Sequence, residues 1–406
     1  MKLDGGKVEG VPSLRWGILG AAGINRQFIP GLLRAGQSVQ TIASHREGAA
    51  QKLANELGLA GERCPRCYEG PDAYSRLLAD PTVDVVYVAL ANHLHKEAVL
   101  AAIEAGKPVL CEKPLGLNGD EAEQMVAASR QAGVRLAEAF MYRYLPVNLF
   151  ALALRPFLGQ VLLVRASFTG RYDPGRPNYR SQASLGGGAL LDIGCYTVHT
   201  ARLFLGELRV LAAHGRFADQ DDGIDLTVSA LLAGNSGSAL VDCSFETSGS
   251  EQRYQVVGEN GLLEVPVAYN PHGAPTSIRV RGQTLTKATL ELFEEWRQHG
   301  QQRQADGPAV HQAEDGTLEV RFDPADPFAR EAASFAVAVR QDWDYAKSDG
   351  SGTGTRANFT RWLPPPLPPE DAWSNMRILD AILALARAVP SYTIPADHGD
   401  GTARGR

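Results

Sequence analysis

Cysteine is scarce in this chain, and long apolar runs and one-sided charge are missing; each absence removes a class of function. Five cysteines, Cys64, Cys67, Cys111, Cys195 and Cys243, are scattered over 406 residues. An odd, sparse set in a chain of this size suits a reducing compartment better than a disulfide framework, which points to the cytoplasm. Cys64-Pro65-Arg66-Cys67 is the one close pair. A structural zinc site needs four ligands, and no second Cys/His pair stands at matching spacing. A thioredoxin-like pair would open a helix after a strand, whereas this one sits in a Gly/Pro/Arg-rich stretch. It reads as two loop thiols, and no metal site is expected. No apolar segment is long enough to cross a bilayer. The opening MKLDGGKVEGVPS has neither an apolar run nor a twin arginine, so no signal peptide is expected. Net charge is −6, with acidic and basic residues mixed along the chain. Without a basic tail or patch, neither nucleic acid nor an anionic membrane is an expected partner.

What is present suits a globular protein with a sizeable core: 44% hydrophobic and 21% charged residues, enough chain for two or three domains. From residue 14 to 139 short apolar runs alternate with amphipathic segments. Strands are expected at 14–19, 39–44, 83–90, 109–112 and 134–139, and helices at 24–33, 48–57, 72–78, 93–105 and 120–131. Strand, helix, strand at this spacing means a doubly wound parallel sheet with right-handed crossovers. After residue 144 the rhythm changes. A helix at 146–157 leads to an alternating strand at 161–168, and Gly186-Gly187-Gly188 opens a helix that runs to 205. Strands then follow in succession at 210–217, 226–233, 238–245, 253–257 and 262–267, with Asn260-Gly261 as a hairpin signal. This half reads as α+β with a large, mostly antiparallel open sheet. Residues 341–362 are polar and Gly-rich and read as a surface loop. The prolines of 364–369 read as a stiff spacer, or alternatively a proline-motif ligand. A last amphipathic helix is expected at 371–387. The division expected is a Rossmann domain over 14–141, an α+β substrate and oligomerisation domain over 142–395, and a disordered tail over 396–406.

Two stretches carry chemistry. The first strand runs into Gly20-Ala21-Ala22-Gly23-Ile24-Asn25 and then a helix. A tight turn of small residues lets the backbone approach a pyrophosphate, and the helix start offers free N–H groups to it. The match to G-x-G-x-x-G is partial, because Ala22 and Asn25 stand at the second and third glycines. At the end of the second strand, where an NAD enzyme places a carboxylate for the ribose 2′-hydroxyl, the chain has Ser44-His45-Arg46. Nothing there repels a 2′-phosphate, and Arg46 with His45 can pair with one; NADP is expected to bind better than NAD.

Cys111-Glu112-Lys113-Pro114 ends a parallel strand, on the edge where doubly wound sheets bind ligands. The proline forces Lys113 out of helical geometry. A bland alternative is a strand-end lysine in solvent. In the helix after Gly188, Asp192, Tyr196 and His199 at i, i+4 and i+7 share one face, which is either a polar wall of a site or a solvated stripe.

These stretches resemble the glucose–fructose oxidoreductase / inositol dehydrogenase / rhizopine-catabolism family of NAD(P) oxidoreductases. The marks are Ala91-Asn92-His93-Leu94-His95, Glu112-Lys113-Pro114, the run Glu138 to Pro146 (EAFMYRYLP), and the segment Gly186 to His199. Tyr196 places the resemblance with the branch of NADP-dependent xylose dehydrogenase and dimeric dihydrodiol dehydrogenase. It implies a Rossmann domain followed by a domain whose open sheet mediates homo-oligomerisation, as a dimer or tetramer. It also implies Lys113 and Tyr196 as the catalytic pair, with Asp192 beside them lining the substrate pocket. Leu90, Asn92, His95 and Glu112 would then lie near the nicotinamide and its ribose, with Tyr142, Arg143, Arg180 and His199 along a substrate wall. The implied reaction is hydride transfer at a carbinol carbon of a sugar, cyclic polyol or diol. A lysine ammonium beside Tyr196 would lower a phenol pKa that is ordinarily about 10. His45 departs from the arginine usual in the NADP-using branch, and 341–362 has no counterpart. Two other functions remain open at this stage: a nucleotide-binding sensor without turnover, and an imine or enone reductase on a non-sugar ligand.

Overall fold

Val85–Val88 reads VVYV with all four side chains buried, which only a sheet covered on both faces allows. The computed structural model describes residues 3–4, 7–8, 11–61, 64–172, 178–218, 223–298, 309–347 and 362–388. The tail expected from 396 and most of the 341–362 stretch lie outside the described residues. A short hairpin, β1 (Leu3–Asp4) with β2 (Lys7–Val8), precedes the first large sheet.

That sheet holds β3 (Arg15–Leu19), β4 (Ser38–Ser44), β5 (Arg66–Glu69), β6 (Val85–Val88), β7 (Val109–Glu112) and β8 (Leu136–Ala139). All pairs are parallel, in the order β5-β4-β3-β6-β7-β8. This is the doubly wound order, with its switch point between β3 and β6. The connecting helices are α1 (Asn25–Arg34), α2 (Ala49–Glu56), α3 (Ala73–Ala79), α4 (His95–Glu104) and α5 (Gly119–Ala132). The expected strands and helices of this half all form. β5 was not among the expected strands: at the sheet edge, with no fully buried residue, it has no apolar run to announce it. Cys67 therefore lies in a strand rather than a loop, and all five cysteines are free thiols.

The second half begins with α6 (Pro146–Leu154), β9 (Val161–Arg171) and, after a π-helical turn at Leu190–Gly194, α7 (Cys195–Leu205). Five strands follow: β10 (Arg209–Phe217), β11 (Asp225–Ala233), β12 (Ser238–Ser244), β13 (Glu246–Gly258) and β14 (Gly261–Val265). The β13–β14 hairpin forms where expected, but Gly258 pairs with Gly261, so Glu259-Asn260 is its two-residue loop. The stretch beyond 270, which the sequence reading left without elements, supplies β15 (Thr276–Arg281), α8 (Gln283–Gln298), β16 (Val310–Gln312), β17 (Leu318–Phe322) and α9 (Pro327–Lys347). The last helix, α10, spans Pro369–Ala388. The nine-stranded order is β10-β11-β12-β9-β13-β14-β15-β17-β16. One pair departs from the antiparallel expectation: β12 runs parallel to β9, because the chain crosses over through α7 before returning beside it.

The inner face of this sheet packs on α6, α7 and α8. Across the outer face, register aligns Leu231, Leu240, Arg165, Gln255, Glu264, Arg279 and Glu319 on neighbouring strands. Leu240 is 44% exposed there.

The last two long helices return to the first half. Phe335 of α9 packs against Trp16 with ring centroids 5.6 Å apart, and Arg34 donates to Asp326 just ahead of that helix at 2.7 Å. Asp380 of α10 accepts from the Gly119 N–H at 2.6 Å, at the start of α5. The cleft between the sheets is thus held on both flanks. Among the described residues, no helix is long and apolar enough to cross a membrane.

Candidate active site

The switch point opens a cleft of about 740 Å³ between the two sheets. Its first wall is the turn after β3. Gly20 has φ +100°, and a Cβ there would lie 2.3 Å from the Ala89 carbonyl oxygen at the end of β6, so glycine is required. Gly23 faces open space. Asn25, at the third glycine position, is fully buried and its side-chain amide donates to the Gly20 carbonyl at 2.7 Å, closing the turn from within. The helix N-cap, Ile24, supplies no side-chain cap; the N–H groups of Asn25, Arg26 and Gln27 donate instead to the Ala22, Gly23 and Ile24 carbonyls at 3.2, 3.1 and 2.9 Å, and the positive end of the α1 dipole faces the cleft.

The second wall is the end of β4. Ser44, His45 and Arg46 all line the cleft, and the Ser44 hydroxyl accepts from the Arg46 N–H at 3.1 Å. His45 stacks on Tyr74 with centroids 3.8 Å apart. Arg46 makes no ion pair among the described residues, and no carboxylate lines this end of the cleft.

The third wall carries the reactive groups. The Lys113 ammonium donates to the backbone carbonyl of Asp192 at 2.6 Å and to its carboxylate at 3.1 Å. Arg180 donates to the other carboxylate oxygen of Asp192 at 2.8 Å. Burial opposes the charge on Asp192, but Lys113 and Arg180 together hold its carboxyl down to about 2. Burial likewise opposes the charge on Lys113, but Asp192 together with Tyr196, Cys195 and Tyr179 outweighs it, so the amine stays well above its ordinary value. The Lys113 nitrogen lies 5.2 Å from the centre of the Tyr196 ring. Phe140, Tyr142, Phe168 and Tyr269 enclose that ring, all with centroids between 5.3 and 5.5 Å from it. Glu112 accepts from the Tyr87 hydroxyl at 2.5 Å, and burial raises its carboxyl despite that bond.

One expectation is corrected in direction. Lys113 does pull the Tyr196 phenol down, but burial acts more strongly, and the net shift is upward. The phenol is neutral at ordinary pH.

Three residues expected on the substrate wall do not line the cleft. Tyr142, Arg143 and His199 are buried, Tyr142 against the Tyr196 ring and Arg143 over that of Tyr144. The Tyr142 hydroxyl lies 2.7 Å from Nδ1 of His199, and Nε2 of His199 lies 3.1 Å from Asp371 on α10. Tyr196 and His199 both lie on α7, and three residues turn an α-helix through about 300°, so His199 points off the Tyr196 face; Tyr142 and Arg143 belong to the 3₁₀ turn Met141–Tyr144 ahead of α6. His95, expected near the nicotinamide, is also fully buried; its ring nitrogens lie 2.9 and 3.1 Å from the Pro114 and Leu90 carbonyls, bracing both wall segments. Asn92 does line the cleft, but its amide donates to the Gly186 carbonyl at 2.8 Å. Leu90, Glu112, Ala22 and Ile24 sit on the cleft wall with Gly20 and Gly23.

Sequence reasoning missed Tyr74, Tyr179, Phe168 and Asn270 as cleft residues. Tyr179 adjoins Arg180 and could have been found from it. Asn270 comes from the stretch with no legible pattern. Among the described residues, no three His, Cys, Asp or Glu side chains gather as a metal-ligand set.

Residues 14–140 match the model of an oxidoreductase family with an NAD-binding Rossmann fold (GFO_IDH_MocA), and 155–264 match the C-terminal domain model of the same family. The chain is 35% identical to D-xylose 1-dehydrogenase (NADP(+)) 2 of Haloferax volcanii over 373 residues, covering 91% of this chain and 96% of that protein. It is 32% identical to trans-1,2-dihydrobenzene-1,2-diol dehydrogenase of Mus musculus over 279 residues, 67% of this chain and 79% of that one. Among solved structures, KijD10, a 3-ketoreductase from Actinomadura kijaniata in complex with NADP and TDP-benzene, superposes with a TM-score of 0.70 at 26% identity, covering 92% of this chain and 98% of that chain. The glycine turn at the switch point, the Lys113–Asp192–Tyr196 wall facing it and these matches agree, and the chain belongs to the glucose–fructose oxidoreductase / inositol dehydrogenase / rhizopine-catabolism family of NAD(P)-dependent oxidoreductases.

Proposed function

We propose that this protein is an NADP-preferring dehydrogenase or reductase acting on the CH–OH group of a neutral sugar, cyclic polyol or diol. The observation that carries the reading is the Lys113–Asp192–Arg180 arrangement beside Tyr196, in the same cleft as the dinucleotide turn. The residues present suit the dinucleotide: a turn only glycine can make, open space over Gly23, and the positive end of the α1 dipole beside them. When bound, the nicotinamide donates or accepts the hydride.

The chain's own residues handle the proton and the charge. In the reducing direction, the neutral Tyr196 phenol gives its proton to the carbonyl oxygen as hydride reaches the carbon. The Lys113 ammonium, held by Asp192, stabilises the alkoxide that develops there. In the oxidising direction Tyr196 must first lose its proton. Arg180 and Asp192 neutralise each other, leaving one net positive charge, on Lys113. The developing alkoxide takes up that charge, and among the described residues this wall holds no further unpaired cation for a phosphate or carboxylate, so an uncharged substrate suits it. Phe168, Tyr179 and Met141 on the wall offer flat apolar surface to the C–H face of a ring.

The test is NADP⁺ reduction across a panel of aldoses, inositols and cyclic diols, with their phosphate and carboxylate derivatives beside them. Turnover confined to neutral members supports the reading. Tight NADP binding with no turnover on any member, or preference for a charged member, overturns it.

The same reading gives NADP its preference through Arg46. Arg46→Ala should weaken NADP about tenfold, the worth of one charge-assisted contact, and leave NAD within a factor of about two. Equal losses for both cofactors in fluorescence titrations would remove Arg46 from the 2′-phosphate. The free thiols and the sparse cysteine usage support a reducing, cytoplasmic setting.

The reading extends to a homo-oligomer formed through the outer face of the nine-stranded sheet. Leu231 and Leu240, adjacent on that face, are 36% and 44% exposed. Leu240→Arg should shift sedimentation velocity toward the monomer; a wild-type protein that is already monomeric at micromolar concentration contradicts it.

A further inference from the structure

One buried carboxylate is not used by the chemistry above, yet it touches the segment that carries it. Asp225, the first residue of β11, is 3% exposed. Its carboxylate accepts from the Leu190 N–H at 2.6 Å, at the start of the π turn that leads into α7. The Ala189 N–H also favours its charged form. Gly188 has φ +110°, and a Cβ there would lie 2.0 Å from the same carboxylate. Asp225 thus closes directly over the last glycine of Gly186-Gly187-Gly188 and the first N–H groups of the turn.

The turn has little freedom elsewhere. The Gly188 N–H donates to the Arg180 carbonyl at 3.0 Å, and the Gly186 carbonyl is held by Asn92. A Cβ on Gly194 would lie 2.8 Å from the Cys243 sulfur on β12. Asp192 lies two residues beyond Leu190 and Tyr196 six, so an axial slip at Leu190 moves both cleft residues together. N–H groups at a helix start that lose their acceptor let the first turn fray.

We propose that Asp225 is a positioning residue for the reaction: from outside the cleft, its carboxylate fixes the start of the helical segment that carries Asp192 and Tyr196. The proposal rests on the reading that those two residues serve hydride and proton transfer. It does not follow from the cofactor site, which Asp225 does not touch.

Protonation gives the device a signature. Burial raises the Asp225 carboxyl to about 6, opposed by the Leu190 N–H. Among the described residues, the other ionisable groups facing it are Arg387 on α10, which favours its charge, and the buried Cys243 thiol on β12, which it pushes up. Once protonated, the carboxyl loses its charge and one oxygen becomes a donor, so its hold on the N–H groups weakens. Turnover should therefore fall as pH drops through about 6, without a matching loss of NADP affinity.

The experiment compares Asp225→Asn with wild type in kcat from pH 5 to 9, in NADP affinity, and in amide hydrogen exchange over residues 187–196. The expected result is a fall in kcat of about tenfold near pH 7.5, with the acid limb near pH 6 abolished. NADP affinity stays within about twofold, and exchange over 187–196 quickens. Gly188→Ala, which pushes against the carboxylate without removing it, should lower kcat while keeping the acid limb. If Asp225→Asn does not fold, the wild-type protein alone decides. Its 187–196 amides, corrected for intrinsic exchange, must lose protection between pH 7 and 5. Unchanged kcat with the acid limb retained in Asp225→Asn, a parallel loss of NADP affinity, or pH-independent protection in wild type overturns the proposal. Should the wild type turn over no substrate, the functional reading fails by that result, while the exchange measurement still judges the anchor.

Discussion

Lys113→Ala should lower kcat by about a thousandfold while NADP affinity stays within about threefold. The ammonium is the one net positive charge on the substrate wall, since Arg180 is already paired with Asp192 at 2.8 Å. Removing it takes away the group that stabilises the forming alkoxide and the one that draws down the Tyr196 phenol against its burial. Cofactor binding should survive because the Gly20–Ile24 turn and the Ser44–Arg46 corner lie on other walls of the cleft. The fold should survive too: Asp192 keeps Arg180 as a partner, so no buried carboxylate is stranded. Lys113→Met separates charge from shape. Its side chain fills most of the same volume, and its loss should match that of alanine. Turnover within tenfold of wild type in either variant would remove Lys113 from the chemistry.

Tyr196→Phe should cost about a hundredfold or more in kcat, with the melting temperature almost unchanged. The ring's energetics reside in its cage of Phe140, Tyr142, Phe168 and Tyr269, which a phenylalanine satisfies equally. Only the hydroxyl on the cleft wall is lost. The pH dependence gives the sharper readout. Burial holds the phenol protonated, so in the wild type alcohol oxidation should climb as pH rises toward alkaline values and carbonyl reduction should decline. The climb reports loss of the tyrosine proton, and the phenylalanine variant has none to lose. A variant that keeps the rate and the climb would assign the proton to a water or to Lys113.

The parallel sheet was legible because its central strands are apolar throughout; Val109–Glu112 begins and ends where the pattern said it would. The edge strand Arg66–Glu69 was not, because one of its faces meets solvent and its sequence is polar. Between 270 and 347 the strands are short, and outward charges such as Arg279 and Arg321 interrupt their apolar positions, so periodicity alone could not find them. The site divides in the same way. Lys113, Asp192 and Tyr196 lie in motifs with fixed local geometry. His199 was placed beside Asp192 and Tyr196 by α-helical spacing, and Tyr142 by the resemblance; both are drawn into the core by partners remote in sequence, His199 to Asp371 of α10 and Tyr142 to His199. The neutral state of Tyr196 was beyond reach for a different reason: burial is a property of the whole fold, and it outweighs the one neighbour the sequence made visible. Tyr74 and Asn270 reach the cleft only through tertiary folding of segments whose own sequence marks no site.

The most direct measurement of hydride transfer follows the atom itself. The best-turned-over member of the neutral panel, deuterated at its carbinol carbon, is oxidised with NADP⁺ and the reduced cofactor is analysed by mass spectrometry and NMR. One deuterium per molecule, on C4 of the nicotinamide and on a single face, is the expected result. Reduced cofactor without deuterium, or label released to water, would contradict direct transfer between that carbon and the nicotinamide.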